Sequence, residues 1–261
     1  MVKKFTDKVI LITGAASGLG QAAATEVAGE EARLSLVDIN PEALEKTKQE
    51  ILKKYPHTEI ITILADVSDE AAVKNYVEET VKAFGRIDGF YNNAGIEGKQ
   101  APLAAYEGEV FKKVIDINLY GVYYGLKHVI PVMQKQKYGM IVNASSVGGI
   151  LGVANQTPYV ASKHAVAGMT KNAALEYAQD GIIVNAIAPG AILTPMVAHA
   201  FEQINPEDPQ KAEFEFAQGN PTKRLGEPGE VAKVVAFLLS GEIRYINGQV
   251  IAIDGGQSIL Y

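Results

Sequence analysis

Seven short apolar runs, separated by helix-length amphipathic stretches, constrain the fold of this 261-residue chain more than any other feature. The runs are KVILIT (8–13), RLSLVD (33–38), IITILA (60–65), IDGFY (87–91), MIVNA (140–144), IIVNAIA (182–188) and QVIAI (249–253). Several are apolar at successive positions, the pattern of a strand covered on both faces. Helical patterns occupy 18–30, 41–54, 69–84, about 102–136, 158–179 and 228–239. Asn40-Pro41 pairs a cap residue with a first-turn proline, and Asp69 and Glu70 put negative charge at a helix start. Regular alternation of this kind predicts parallel strands joined by right-handed crossovers. The expected fold is α/β, a doubly wound parallel seven-stranded sheet with helices on both faces, in a single domain over 1–261. The segment 191–226 lacks a strand, carries Pro195, Pro206, Pro209 and Pro221, and is acidic in its middle. A loop this long predicts a substrate lid.

Composition closes several functional classes. Lysine plus arginine number 24 against 30 aspartate plus glutamate, a net charge of −6, so no basic surface for nucleic acid is expected. The absence of cysteine excludes disulfides, thiolate metal sites and cysteine nucleophiles. His57, His128, His164 and His199 show no metal-ligand spacing, and no metal is expected. The run 9–12 is too short for a signal-peptide core, and no stretch approaches the roughly 18 apolar residues of a membrane span. A cytoplasmic protein without membrane contact is expected.

Thr13-Gly14-Ala15-Ala16-Ser17-Gly18-Leu19-Gly20 follows the first strand and opens the first helix. Glycines there permit a tight turn and close approach to a pyrophosphate, which the helix N-terminus then meets with free N–H groups. Asp38 ends the second strand, where a carboxylate accepts hydrogen bonds from adenosine ribose hydroxyls and repels a 2′-phosphate. Ile39 and Asn40 add no positive charge, so NAD is the expected cofactor.

Tyr159 and Lys163, four apart in a helical stretch, share one face. A phenol titrates near about 10 and is a poor base at neutral pH; a nearby ammonium stabilises its phenolate. Tyr159 is then placed to take a proton from an alcohol or return one to a ketone. Ser146 ends the fifth strand, and its hydroxyl is suited to donate to a substrate carbonyl as charge develops there.

Taken in order, the glycine turn, Asn92-Asn93-Ala94-Gly95, Ser146, Tyr159-x-x-x-Lys163 and Pro189-Gly190 resemble the short-chain dehydrogenase/reductase family over about residues 5–257. The resemblance implies that Tyr159 is the general acid/base, that Lys163 binds the nicotinamide ribose and lowers the tyrosine pKa, and that Ser146 rather than Ser145 completes the pair. It implies that Asn118 holds a water in the proton relay. On the cofactor side it implies Gly14, Ser17, Gly18, Leu19 and Gly20 at the phosphates, Asp38 at the ribose, and Asp66 and Val67 at the adenine. Asn93, Ala94, Gly95, Pro189, Gly190, Ile192, Thr194 and Met196 would line the rest of the groove. It further implies a homotetramer. Glu97, Asn155, Gln156, Met196 and Phe201 join Ser146 as candidate substrate contacts.

The expected reaction interconverts a secondary alcohol and a ketone, with a cyclic ketone or diketone as one substrate class. Hydroxysteroids, sugars and polyols, vicinal diketones and 3-oxoacyl thioesters are the alternatives, and a non-catalytic nucleotide sensor is the alternative of a different kind. Replacing Asp38 with serine and Ile39 with arginine is expected to move cofactor preference toward NADP, measured as the ratio of kcat/KM for the two nucleotides. An unchanged ratio would remove Asp38 from the cofactor site.

Overall fold

The computed structural model describes residues 3–260; Met1, Val2 and Tyr261 lie outside it. The strands are β1 (Val9–Thr13), β2 (Arg33–Asp38), β3 (Ile60–Leu64), β4 (Gly89–Asn92), β5 (Gly139–Ala144), β6 (Ile182–Pro189) and β7 (Val250–Ile253). They form one seven-stranded sheet in the order β3-β2-β1-β4-β5-β6-β7, with every neighbouring pair parallel. The doubly wound expectation is met. β4 begins two residues later than its apolar run because the backbone N–H and C=O of Ile87 are held by the Gln136 side chain instead of a strand.

Successive strand residues serve opposite layers. Ile10 and Ile12 pack into one core, to which α1 (Gly18–Ala28) contributes Ala23, Ala24 and Val27 and the C-terminal helix contributes Val231 and Val235. Leu11, between them, packs into the other core with Val77, Val129 and Val166. Those three residues come from α3 (Glu70–Phe84), α5 (Gly121–Gln136) and α6 (Thr157–Tyr177). A strand flanked this way needs apolar residues at successive positions. α2 (Pro41–Lys54) opens as its sequence predicts, with the Asn40 side chain accepting from Ala43 N–H at 3.0 Å.

Two expectations need correction. The stretch about 102–136 is not one helix. A short 3-10 turn at Leu103–Ala105 precedes α4 (Gly108–Ile115), and a π-helical turn at Asp116–Tyr120 joins α4 to α5. The segment 191–226 is also not an irregular loop, because it carries α7 (Pro195–Ile204) and α8 (Pro209–Gly219). Each has proline in its first turn and an N-cap side chain, Thr194 or Asp208, accepting from the helix backbone. The base of this excursion is tied shut, with Leu193 N–H donating to Gly226 O at 2.9 Å and Gly226 N–H to Ala191 O at 3.0 Å. The last helix, α9 (Pro228–Ser240), follows and begins with a capping box between Glu227 and Glu230.

At the opposite end of the sheet from this excursion, Asp88 is 2% exposed and joins β1 to β4. It accepts from Val9 N–H at 2.9 Å and from Arg86 Nε at 2.8 Å. Removing it strands the buried Val9 N–H, while the half-exposed Arg86 regains water. Asp88→Ala is expected to lower the unfolding free energy by about 2 kcal/mol. Urea denaturation checks this, and an unshifted midpoint would contradict it.

Candidate active site

Between β1 and β4 the strand order reverses, which opens a crevice at the carboxyl ends of the strands. The glycine turn leaves β1 there. Gly14 has φ +64°, and a Cβ on it would lie 2.9 Å from Asn93 Nδ2. Asn93, just past β4, clamps the turn by donating from Nδ2 to Thr13 O at 2.9 Å. The Thr13 hydroxyl accepts from Asn93 N–H at 3.0 Å and Ala94 N–H at 3.1 Å. Among the described residues, nothing acidic stands in the first turn of α1 and the Ser17 side chain makes no capping bond. The helix end is therefore open to an anion. Asp38 braces the same turn, accepting from Ala16 N–H and from Asn40 N–H, each at 3.0 Å. A carboxylate has about four acceptor sites, so these two bonds leave capacity for a ribose.

Two cavities of about 290 and 340 Å³ share Gly14, Asp38, Ala94 and Gly95 and so form one groove. Asp66 and Val67 line one end. Asn93, Ser17, Gly18 and Leu19 lie on the other side of Asp38, followed by Ser146, Tyr159, Lys163, Pro189, Gly190, Ile192, Thr194 and Met196. One glycine sits differently. Gly20 is buried beneath the turn, where a Cβ would overlap the Gly14 carbonyl, so it packs the helix onto the turn instead of lining the groove. The groove thus brings together a glycine cradle, an open helix end and a carboxylate, a set that fits a nicotinamide dinucleotide.

Lys163 is buried, and its Nζ donates to Ala144 O at 2.8 Å and lies 5.5 Å from the centre of the Tyr159 ring. Burial lowers its pKa to about 8. Tyr159 differs from expectation. Burial pushes its phenol above the ordinary value; a hydrogen bond with Ser146 opposes that rise and the Glu97 carboxylate reinforces it. The lowering assigned to Lys163 does not overcome burial in the protein by itself. The two serines divide. Ser145 Oγ donates to Lys163 O at 3.0 Å and anchors α6, whereas Ser146 Oγ accepts from Gly148 N–H at 3.1 Å and keeps its proton.

Asn118 lies in the π turn, fully buried. Its Oδ1 accepts from Ile96 N–H and its Nδ2 donates to Ile96 O, both at 2.8 Å. The extra residue of a π turn rotates a side chain off the regular helical spacing. This one meets Gly95, whose Cβ would be 3.1 Å from Asn118 Oδ1 and 3.4 Å from Lys163 Nζ.

The candidate substrate contacts separate into two groups. Met196 lines the groove, whereas Glu97 is buried outside its lining and is hydrogen-bonded at 2.6 Å to Gln156, three residues before Tyr159. Phe201 is turned away, 3% exposed, in a small core with Ala212 and Leu225 within the 191–226 excursion. Asn155 is exposed, and its backbone, at φ +64°, accepts from Ala101 N–H at 3.0 Å. Pro195 and Val197 also line the groove. The Thr194-Pro195 cap signal was available to find their helix. Nothing in the local sequence marks Thr13 as the acceptor for two loop amides. Among the described residues, no three His, Cys, Asp or Glu side chains are grouped to hold a metal, and no helix is long and apolar enough to cross a membrane.

A family profile described as enoyl-(acyl carrier protein) reductase matches residues 14–258. The chain is 55% identical over 258 residues to levodione reductase of Leifsonia aquatica, covering 99% of this chain and 97% of that protein. The crystal structure of levodione reductase superposes with a TM-score of 0.97 over 98% of this chain and 100% of that one. Cyclohexanol dehydrogenase of Acinetobacter sp. (strain SE19) is 39% identical over 255 residues, 98% of this chain and 96% of that protein. The structure of NAD+-bound xylitol dehydrogenase is 37% identical, with a TM-score of 0.92 over 97% of this chain and 100% of that one.

The lowered pKa of Lys163 makes a testable contribution to stability. Its folded value of about 8 lies below the ordinary lysine value of 10.5, so burial penalises the folded state fully below about pH 8. The unfolded chain binds the extra proton between those values, and the penalty fades as pH rises through that window. The stability of the cofactor-free protein relative to Lys163→Met is therefore expected to climb from pH 8 to 10.5, at roughly 1.4 kcal/mol per unit at most. Urea unfolding of both proteins across that range checks it; a flat difference would contradict a buried ammonium.

Proposed function

Because the chain belongs to the short-chain dehydrogenase/reductase family and is an oxidoreductase acting on CH–OH groups with a nicotinamide cofactor, we propose that it interconverts a cyclic secondary alcohol and its ketone with NAD. One observation carries this reading: the glycine turn and Asp38 share a single groove with Ser146, Tyr159 and Lys163. NAD is supported by the Asp38 carboxylate, by the uncharged Ile39 and Asn40 that follow it, and by the NAD+-bound neighbour. The cyclic substrate is supported by the levodione and cyclohexanol activities named for the relatives.

In this reading the residues divide the work. Gly14, Ser17, Gly18 and Leu19 hold the phosphates; Asp38 the adenosine ribose; Asp66 and Val67 the adenine; Asn93, Ala94, Gly95, Pro189, Gly190, Ile192, Thr194 and Met196 the rest. When bound, the nicotinamide supplies or accepts the hydride. Tyr159 Oη takes the hydroxyl proton during oxidation and returns it during reduction. Ser146 Oγ, whose acceptor side is engaged by Gly148 N–H, donates to the substrate oxygen. Lys163 has three N–H donors and gives one to Ala144 O, leaving two for the nicotinamide ribose. Its charge, together with that of an oxidised nicotinamide, offsets the burial that raises Tyr159. Asn118 holds the relay water, and α7 and α8 act as the lid that excludes bulk water. A homotetramer in the cytoplasm completes the reading; the oligomer is supported by the family and by the exposed Tyr120 of the π turn and Tyr123 of α5.

Tyr159→Phe is expected to bind NAD as the parent does, by calorimetry, and to lose roughly 10³-fold in kcat. Near-normal turnover would refute the mechanism. A spectrophotometric screen of NAD(H) and NADP(H) with cyclic ketones, diketones, hydroxysteroids and polyols tests the substrate class.

A further inference from the structure

The 191–226 excursion is rooted at its base and packed on itself beyond it. At the base, Ile192 is buried in the core shared by α1 and α9, and Leu193 N–H is bonded to Gly226 O. Further out, Phe201 of α7 meets Phe216 of α8 edge to face, with ring centres 5.7 Å apart, and Phe201 and Ala212 share their small core with Leu225. Among the described residues, hydrogen bonds and ion pairs join 195–219 to the protein outside 191–226 through one side chain, that of the half-buried Gln203. Gln203 Oε1 accepts from Gln100 N–H at 3.0 Å, and its Nε2 donates to Gly98 O at 3.2 Å.

The loop that Gln203 grips is fixed from its other sides. Tyr106 Oη accepts from Lys99 N–H at 3.1 Å and donates to Lys99 O at 2.9 Å. Gln100 Nε2 and Gln156 Nε2 both donate to Glu97 Oε1, and Ala101 N–H donates to Asn155 O at 3.0 Å, which ties the loop to the residues leading into α6. Near the start of α7, Met196 lines the groove. Gln203 is seven residues on, two helical turns, so it lies on the same face about 10 Å further along the axis. The face of α7 that Gln203 fastens to the loop is therefore the face that carries Met196.

We infer that Gln203 is a positioning residue that latches α7 to the loop 98–100, and that this latch sets how fast the groove releases its dinucleotide. The inference rests on the nicotinamide reading of the groove and on α7 and α8 as its lid. With the latch made, Thr194, Pro195, Met196 and Val197 stand as one wall of the groove. With it broken, α7 and α8 swing together about the base, because their shared core holds them to each other. Two hydrogen bonds between uncharged groups suit a gate that opens in every turnover, since each is worth little net and no buried charge is stranded when they part.

The test measures NADH release by stopped-flow fluorescence, and the urea midpoint, in the parent and three variants. Gln203→Leu keeps a helix-forming side chain and loses both bonds. It should release NADH roughly tenfold faster, with the association rate constant and the urea midpoint unchanged. Gln203→Glu keeps an acceptor for Gln100 N–H and loses the donor to Gly98 O. Its release rate should fall between those of the parent and the leucine variant, and it decides the matter if the leucine variant does not fold. Glu202→Ala, at an exposed neighbour paired with His199, should release NADH at the parent rate. Equal acceleration in Glu202→Ala would assign the effect to the helix and overturn the latch. A lowered urea midpoint without faster release would make Gln203 a structural brace and overturn it too. A parent that binds NADH, with release unmoved in both Gln203 variants, would overturn the inference alone. A parent that does not bind NADH would overturn it together with the nicotinamide reading beneath it.

Discussion

β1 lies beside β4, with Ile10 opposite Gly89 and Ile12 opposite Tyr91, and the site depends on that pairing. The chain winds from β1 toward β3 on one side and from β4 toward β7 on the other, so the connections leaving β1 and β4 diverge. No crossover roofs the gap, and a ligand enters there. The pairing requires close approach. A Cβ on Gly89 would stand 2.6 Å from Ile10 Cδ1, so the strand that carries Asn92 and Asn93 to the crevice begins with a residue that has none. Asn93 then reaches back to Thr13, and the two sides of the crevice become one wall.

Burial sets the electrostatics of that wall. Lys163, Tyr159 and Glu97 are drawn out of water together, and for each the charged form is disfavoured. Burial moves the Lys163 ammonium toward neutrality and the Tyr159 phenol away from it. The same burial makes each fixed hydrogen bond count for more: Lys163 on Ala144 O, Ser145 on Lys163 O, and Asn118 on both backbone groups of Ile96. The hydrogen bonds hold side chains from β5, α6 and the π turn in one geometry, which suits a reaction that depends on position more than on new covalent chemistry.

Much of this was legible from the chain. Apolar runs reported all seven strands because residues such as Ile10 and Leu11 must satisfy opposite cores. The glycine turn, Asp38, Ser146, Tyr159 and Lys163 were readable because their chemistry needs those residue types at those spacings. Helices α7 and α8 were legible in principle, since Thr194-Pro195 and Asp208-Pro209 repeat the cap-and-proline signal of Asn40-Pro41. Its acidic, proline-rich surroundings resembled a loop. Phe201 looked like a pocket residue because it is aromatic and near the site in sequence, but α7 directs it into the small core of the 191–226 excursion.

Taken alone, the sequence determined the layer architecture and the places of the seven strands, because hydrophobic periodicity is a local property of the chain, and motif spacing singled out the glycine turn, Asp38, Ser146, Tyr159 and Lys163 that the fold gathers in one groove. Tertiary structure alone decided the rest. Asn118 points inward through a π turn that no residue pattern announces. Ser145 is an anchor because it faces Lys163 O, whereas the Ser146 hydroxyl turns to Gly148 N–H and Tyr159. The Tyr159 phenol is raised, not lowered, because burial depends on everything packed around it. Glu97 is buried with Gln100 and Gln156 because the distant segments 97–101, 155–156 and Gln203 of α7 meet there. Pairing, burial and field arise from groups far apart in the chain, and only the folded arrangement brings them within reach of one another.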